Sequence, residues 1–518
     1  MNPAQTLAAT LPYLKPEICL AAGLGAVLLG EIGLSKREKA TLGWTAVTFA
    51  FLAFAMALKA PAPAAGVSTM IFTDAAGTFL KALATAAAMV VGLLLIRSRE
   101  AEVLPAGETH AFLLSATLGC CLLASARNLL LLYLGMEIVS YTSYLLAGFL
   151  RRDLRANEAA LKYVLYGAVA SGIMLFGIAT LYGMAGTLDL ARLGPILMQG
   201  NAGTALIVPF SMILAGLGFK VSAAPFHQWA PDVYEGAPTP VAAFLSVAPK
   251  MAGLLALARI TWLGLSGMPS GGFGAGAGTF EIALNWPVVL GVLSGLTMIV
   301  GNLCALFQTN AKRLLAYSSI AHAGYMLMAL SAASVTGEGV GAVLFYGAAY
   351  LAMNLGAFGV VMALGRITGS EELRAWRGLG WRHPFLGSCM VVFLMSLTGV
   401  PPFAGFIGKF LLFKAALLAA GGSVSLPGGA EAPLGWMYLL IGIGLLNSVV
   451  SLYYYVSIAK ALFVEKRPEG LPEPTGSAGW LQPLTIGLLA AATLWIGLSW
   501  ESLAASAAAA VHGFGATP

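Results

Sequence analysis

Long apolar runs, separated by short polar segments, recur from one end of the chain to the other. We count fourteen runs that are long enough to cross a bilayer as α-helices, because such a helix needs about 20 predominantly apolar residues. These predicted spans 1 to 14 lie at approximately 13–33, 41–58, 74–96, 110–126, 128–150, 160–184, 204–232, 239–262, 284–308, 312–332, 338–365, 385–419, 435–464 and 479–500. The pattern predicts an all-α polytopic membrane protein with about 14 transmembrane helices.

Two of the predicted spans are longer than most of the others and are interrupted by proline. Span 7 contains Lys220 and Pro225, and span 12 contains Pro401, Pro402 and Lys409. Since the two spans are five apart in number, they cross the bilayer in opposite directions. Interrupted helices at corresponding positions in two halves are typical of an inverted-repeat transporter. The match between the halves is imperfect, because the lysine precedes the proline in span 7 and follows it in span 12.

Basic residues are distributed unevenly among the loops. Lys and Arg are concentrated in loops after odd-numbered spans, such as "SKREK", "RRDLR" and "KALFVEKR", while the other loops offer little beyond Lys59, Arg127 and Arg192. Because basic loops face the cytoplasm, we expect both termini to lie on the outer side. No basic segment precedes span 1, so we interpret this span as a retained helix and not a cleaved signal.

The composition agrees with a membrane protein and excludes several other classes. The chain is 59% hydrophobic and 10% charged, whereas soluble proteins have about 25% charged residues. A net charge of +6 is modest and reports topology, so we expect no nucleic-acid partner. The five cysteines lack metal-ligand spacing. The Gly-rich segment near 266–280 lacks the strand and helix of a nucleotide loop, and we interpret it as a flexible connection.

Five ionisable side chains fall inside predicted spans, where a charge costs about 2.5–3.5 kcal/mol on insertion scales and marks an ion or proton path. They occur in spans 5, 7, 8, 10 and 12, respectively, as Glu137, Lys220, Lys250, His322 and Lys409. On span 10, the spacing of Ser318, His322 and Tyr325 places all three on one helix face. Burial favours the neutral form of a lysine and a nearby carboxylate favours the charged form, so such a row can exchange protons. The break beside Lys220 exposes backbone groups to water, which favours this exchange.

Each of these residues also has a simpler interpretation. A lysine near a helix end can extend its ammonium group to the interface, and a lone histidine in the membrane is commonly a packing residue. Five such groups on five helices are too many for that explanation alone. For Lys162, near the start of span 6, both interpretations are open. His227 either passes protons toward Lys220 or bonds the loop backbone, and we expect Lys81 and Lys414 to reach the interface.

Four long segments are specific enough to identify a family resemblance. They are "FKVSAAPFHQWAPDVYEGAPTPVAAFLSVAPKMAG", "NEAALKYVLYGAVASGIMLFGIATLYGMAGT", "GNLCALFQTNAKRLLAYSSIAHAGYMLMAL" and "SLTGVPPFAGFIGKFLLFKAA". Over about residues 110–465, the chain resembles the N-subunit family of bacterial NADH:quinone oxidoreductase (respiratory complex I). The related M and L subunits and the Mrp-type antiporters share the interrupted helices. However, they resemble "HTWLPDA" where this chain has "HQWAPDVYEGAPTP".

The resemblance implies an antiporter-like module of the membrane arm, in the bacterial inner membrane and in contact with lipids. Two inverted repeats of five helices are implied at 110–262 and 284–464, with three helices within 1–109 and a last helix at 479–500. A proton-transfer role is implied for Glu137, Lys220, Lys250 and Lys409, with Lys162, His227 and His322 at further polar positions. NADH, FMN, iron–sulfur clusters and quinone are implied to bind partner subunits, and no cofactor or metal is expected in this chain.

Two other functions remain open from the sequence. One is a free-standing or Mrp-like cation/proton antiporter, which transports ions without a redox partner. The other is a membrane scaffold whose charges are vestigial. The sequence also leaves open the proton stoichiometry, the quinone and the electron donor, since a relative in photosynthetic membranes takes electrons from ferredoxin.

Overall fold

The computed structural model describes residues 8–35, 37–62, 68–96, 105–199, 203–264, 286–425, 431–467, 476, 479–512 and 514. The Gly-rich connection near 266–280 and the two chain ends, for which the sequence suggested a conformation or a membrane side, lie outside these residues. The predicted repeat boundaries remain predictions.

Helices account for nearly all of the regular structure. In chain order, the first ten are α1 (Lys15–Gly33), α2 (Leu42–Leu58), α3 (Ala75–Leu95), α4 (Ala106–Ser125), α5 (Leu129–Ala147), α6 (Leu154–Ala185), α7 (Leu190–Gln199), α8 (Ile207–Val221), α9 (Trp229–Gly236) and α10 (Thr239–Arg259). They are followed by α11 (Trp286–Ala305), α12 (Ala311–Thr336), α13 (Glu338–Thr368), α14 (Leu379–Arg382), α15 (Pro384–Thr398), α16 (Ala404–Ala420), α17 (Trp436–Phe463), α18 (Leu481–Leu498) and α19 (Trp500–Ala509). Two short strands, β1 (Ser423–Ser425) and β2 (Glu431–Pro433), pair antiparallel between α16 and α17.

Twelve helices in the described part of the chain are long and apolar enough to cross a membrane. They correspond to predicted spans 1–6, 8–11, 13 and 14, which confirms the prediction of an all-α polytopic membrane protein. Spans 7 and 12 are each divided in two, as α8 with α9 and as α15 with α16. The helix α6 begins at Leu154 and not near 160, because the Asp153 side chain accepts a hydrogen bond from the Arg155 amide and caps a polar first turn.

The two interruptions share a local construction. At the end of α8, Ser222 adopts the left-handed conformation at φ 59°, and Pro225 follows within the turn. At the end of α15, Gly399 is left-handed at φ 91°, and Pro401 and Pro402 follow. A left-handed residue ends an α-helix, and proline prevents its continuation. Each interruption therefore leaves the last carbonyl groups of the first half-helix without helical partners.

The helices that carry the central charges are the most deeply buried. Nearly all residues of α10, α12 and α13 are buried among other helices, while only about a third of the residues of α1, α2, α6 and α17 are buried. A helix that is apolar on all sides and enclosed by others belongs to the core of a large bundle. The outer helices thus form a lipid-compatible layer around a central group, and that group holds Lys250 and His322.

Candidate functional site

Four of the seven predicted site residues are enclosed by the protein. Lys220, Lys250, His322 and Lys409 are 2%, 1%, 2% and 5% exposed. A lysine that reaches the interface keeps its ammonium group in water, which this burial does not allow. Because a buried charge is costly unless hydrogen bonds compensate for it, the partners of these groups define what the site can do.

Lys220 lies in the last turn of α8, directly before the interruption. The carbonyl end of a helix carries partial negative charge, which stabilises a nearby ammonium group. Its Nζ donates a hydrogen bond to Ser140 Oγ on α5 over 3.0 Å. From the other side of the break, the Trp229 indole donates to the Phe219 carbonyl over 3.0 Å. The interruption thus positions Lys220 against α5 and leaves it a single side-chain partner among the described residues.

The carboxylate of Glu137 lies on α5, one turn before Ser140. It accepts a hydrogen bond from Ser171 on α6, whose hydroxyl also lies 3.0 Å from the Tyr133 hydroxyl. Among the ion pairs of the described residues, none joins Glu137 to Lys220. Since Glu137 and Ser140 lie on one helix face, the carboxylate lies about one helical turn from the hydroxyl that Lys220 binds.

Lys250 occupies the centre of the helix group. It follows Pro249 inside α10, and its Nζ donates to Ser319 Oγ on α12 over 2.5 Å. The ammonium group also lies 5.6 Å from the centre of the Tyr234 ring, a geometry that stabilises a cation. This lysine is therefore supported by a neutral hydroxyl and an aromatic face.

The imidazole of His322 contacts two tyrosine hydroxyl groups. Its Nδ1 lies 2.6 Å from the Tyr346 hydroxyl on α13, and its Nε2 lies 3.0 Å from the Tyr455 hydroxyl on α17. The Tyr455 hydroxyl also contacts Ser318 Oγ. As the spacing on span 10 predicted, Ser318, His322 and Tyr325 line one side of α12, and the Tyr325 ring lies 4.8 Å from Lys409 Nζ.

Lys409 lies on α16, and its side chain extends back to the end of α15. Its Nζ donates to the Thr398 carbonyl over 2.9 Å and to Ser448 Oγ over 2.7 Å. Thr398 is the last residue of α15, so its carbonyl is one that the interruption leaves free. This explains the imperfect sequence match between the halves. Although the order of lysine and proline is reversed, Lys220 and Lys409 both lie at the carbonyl end of a first half-helix.

The remaining two predicted residues lie away from this buried row. Lys162 is partly exposed and pairs with Asp232 over 2.6 Å and with Glu158 over 2.7 Å. Arg313 pairs with Asp232 over 2.6 Å, so the cluster connects α6, α9 and α12 near one end of the bundle.

His227 lies in the turn between α8 and α9, and its Nδ1 has no hydrogen-bond partner among the described residues. No hydrogen bond in the described structure connects it to Lys220.

Several buried polar groups were not recognised from the sequence. Lys81 pairs with Glu17 over 2.7 Å, and both side chains are only 6% exposed. The expectation that Lys81 reaches the interface is therefore wrong, because its carboxylate partner lies on a neighbouring helix inside the bundle. Arg259 is fully buried and pairs with Asp74 over 2.7 Å. The partners in each pair are far apart in the sequence, so their spacing does not predict that they meet. The ionisable residues themselves are visible in the sequence, because they interrupt apolar runs.

Known proteins provide an independent comparison with this geometry. The family model described as "NADH:quinone oxidoreductase/Mrp antiporter, TM" matches residues 126–428. NADH-quinone oxidoreductase subunit N of Anaeromyxobacter sp. (strain Fw109-5) is 41% identical over 505 residues, which cover 95% of this chain and 94% of that protein. NADH-quinone oxidoreductase subunit N 2 of Sorangium cellulosum (strain So ce56) is 41% identical over 512 residues and 95% of each chain.

Solved structures show the same arrangement of helices. A chain of respiratory complex I from Thermus thermophilus with bound aureothin superposes with a TM-score of 0.73 at 32% identity, covering 95% of this chain and 99% of that chain. A chain of the Mrp complex from Dietzia sp. DQ12-45-1b has a TM-score of 0.74 at 20% identity, covering 98% of this chain and 97% of that chain. The second likeness concerns the fold alone.

Proposed function

Because this chain belongs to the N-subunit family of NADH-quinone oxidoreductase, we propose that the Glu, Lys and His side chains within its helix bundle form the path along which it translocates protons. The chain is a multi-pass, proton-translocating subunit of the membrane arm of respiratory complex I, with other subunits of that complex as partners. In this proposal it serves the enzyme as a translocase without redox chemistry of its own. NADH, FMN, iron–sulfur clusters and quinone bind to the partner subunits.

The observation that carries the proposal is the set of partners around each buried cation. Lys220 binds Ser140, Lys250 binds Ser319, and Lys409 binds Ser448. A serine hydroxyl both donates and accepts hydrogen bonds, so it can serve a lysine in its charged and its neutral form. A fixed carboxylate partner would instead retain the ammonium form. These surroundings favour groups that gain and lose protons over groups that hold a permanent charge.

We propose that formation and breaking of an ion pair between Glu137 and Lys220 couple proton transfer in this chain to the rest of the complex. In the structure the two groups bind separate serines, and we infer a second arrangement in which the ammonium group lies against the carboxylate. At a separation of ~4 Å and an effective dielectric constant of ~20, the attraction is about 4 kcal/mol before desolvation is subtracted. Making the pair holds a proton on Lys220, and breaking it releases the proton toward Lys250.

Lys409 forms the outward end of this path. The basic loops predict that α15 and α16 run from the cytoplasmic to the outer side, which places Lys409 beyond the interruption. Its hydrogen bond to the Thr398 carbonyl, which has no helical partner, supports a role for Lys409 beside the interruption, where unpaired backbone groups can bind water. We propose that Lys409 receives protons from Lys250 through His322 and releases them outward.

Substitution of Glu137 tests the proposal directly. In the assembled complex, Glu137→Gln should strongly lower proton pumping and the coupled turnover of quinone reductase, because a neutral amide cannot form the ion pair. Glu137→Asp should retain more activity. Glu158→Gln is a matched control, since Glu158 is largely exposed and pairs with Lys162 outside the buried row. Full pumping by an assembled Glu137→Gln complex would exclude the proposed role of this carboxylate.

A further inference from the structure

Both nitrogen atoms of the His322 ring are occupied by tyrosine hydroxyls from different helices. Tyr346 on α13 contacts Nδ1 over 2.6 Å, and Tyr455 on α17 contacts Nε2 over 3.0 Å. Both tyrosines are fully buried. A neutral imidazole carries a hydrogen on one nitrogen only. One tyrosine must therefore accept a hydrogen bond from the ring while the other donates one to it.

Both tyrosines contact residues that are adjacent to the lysines of the row or to their partners. The Tyr455 hydroxyl contacts Ser318, and the adjacent residue Ser319 binds the ammonium group of Lys250. The Tyr346 ring packs so closely on Gly408 that a Cβ there would collide with it. Gly408 directly precedes Lys409. His322 is thus linked to the surroundings of both lysines, through Ser318 beside the Lys250 partner and through Gly408 beside Lys409.

We propose that the hydroxyls of Tyr455 and Tyr346 set the tautomer of His322 and carry protons to and from its ring, so that these three residues form one hydrogen-bonded chain in the path between Lys250 and Lys409. The proposal rests on the proton-transfer function inferred above. It assigns roles to two hydroxyl groups that lie outside the row of ionisable residues.

In this transfer, one hydrogen enters and one leaves the chain formed by Tyr455, His322 and Tyr346. In the starting state Nδ1–H donates to Tyr346, and the Tyr455 hydroxyl donates to Nε2. A proton arriving from one lysine of the row replaces the Tyr455 hydrogen as that hydrogen binds Nε2. The Nδ1 hydrogen then passes to Tyr346, whose own hydrogen leaves toward the other lysine. The ring now carries its hydrogen on Nε2, so both hydroxyls and the tautomer must be reset before another proton moves in this direction.

The contacts of His322 with Tyr455 and Tyr346 predict the effect of removing either tyrosine hydroxyl. Tyr455→Phe and Tyr346→Phe retain the aromatic ring but remove the hydroxyl that orients His322. Each should lower proton pumping by about a hundredfold, the lower end of the range for loss of a group in proton transfer. Each should also raise the solvent deuterium isotope effect on coupled quinone reduction, because proton transfer then limits turnover.

Tyr454→Phe is the matched control. Tyr454 precedes Tyr455 on α17 and is equally buried, but its hydroxyl donates to Asn302 over 3.0 Å and not to His322. This variant should keep the isotope effect of the unmodified complex. Since Tyr346 and Tyr455 lie on different helices, either variant tests the proposal if the other does not assemble.

Three results would overturn the inference. One is unchanged pumping in an assembled Tyr455→Phe or Tyr346→Phe complex. Another is an equal loss in Tyr454→Phe. The third is reduced pumping with an unaltered isotope effect, which indicates a packing role. These outcomes are separable from failure of the proposed function, because Glu137→Gln reports on the buried row without involving either tyrosine.

Discussion

Lys409 illustrates what a single residue reveals when its partners are known. Its ammonium group binds a backbone carbonyl and a serine hydroxyl, and its Nζ lies over the Tyr325 ring. These neutral partners stabilise a positive charge without requiring it to be permanent. The residue can therefore act as a proton relay, and the alternative is a fixed positive anchor.

Substitution by arginine separates these two roles. Lys409→Arg should lower proton pumping as strongly as Lys409→Ala, because arginine keeps its charge but does not release a proton in a protein. The measurement is pumping by the assembled complex, with assembly checked separately. Lys414→Arg is the control, since Lys414 lies on the same helix and pairs with Glu338 at a half-exposed position. If Lys409→Arg pumps normally, Lys409 is an anchor.

At the same scale, the sequence revealed charged residues more readily than their neutral partners. A lysine, glutamate or histidine inside an apolar run is conspicuous because its burial is costly. Tyr346 and Tyr455 were not recognised, because a tyrosine in such a run is equally consistent with packing. The His322–Tyr455 contact joins positions 133 residues apart, and no helical periodicity predicts a contact at that separation.

At the scale of the helices, the two interruptions share a local construction although they differ in sequence. Proline marked both interruptions in the sequence, but the left-handed residue that ends each first half-helix was not identified. Gly399 at φ 91° is the clearer case, because a residue with a side chain is strained in that conformation. A Cβ at Gly399 would also lie 3.0 Å from Lys409 Cδ. The same glycine thus ends α15 and makes room for the lysine.

Gly399→Ala should therefore affect both stability and function. We expect a destabilisation of about 1–3 kcal/mol from backbone strain, together with reduced pumping as Lys409 is displaced. Thermal inactivation of the assembled complex measures the first effect, and pumping before heating measures the second. Gly421→Ala is the control, because Gly421 has φ −81° and nothing within 4 Å of an added Cβ. Equal stability and pumping of the two variants would contradict this role of Gly399.

At the scale of the whole molecule, charged clusters occupy two ends of the helix bundle. Lys162, Asp232 and Arg313 form one cluster near the starts of α6 and α12, and these starts follow odd-numbered spans. Arg259 and Asp74 lie at the opposite end, where α10 ends and α3 begins. The sequence showed the uneven distribution of basic loops, while the choice of ion-pair partners depends on how distant helices pack.

The division of charge leads to a prediction for the membrane topology. If the loops after odd-numbered spans face the cytoplasm, a chain with fourteen crossings has both ends outside. Cysteines introduced at Asn2 and Thr517, after replacement of the native cysteines, should react with an impermeant reagent added to the outer side. A cysteine at Arg152, an exposed position between α5 and α6, should react only from the cytoplasmic side. Labelling of either chain end only from the cytoplasm would contradict the fourteen-crossing topology, and with it the opposed directions of the two interrupted spans.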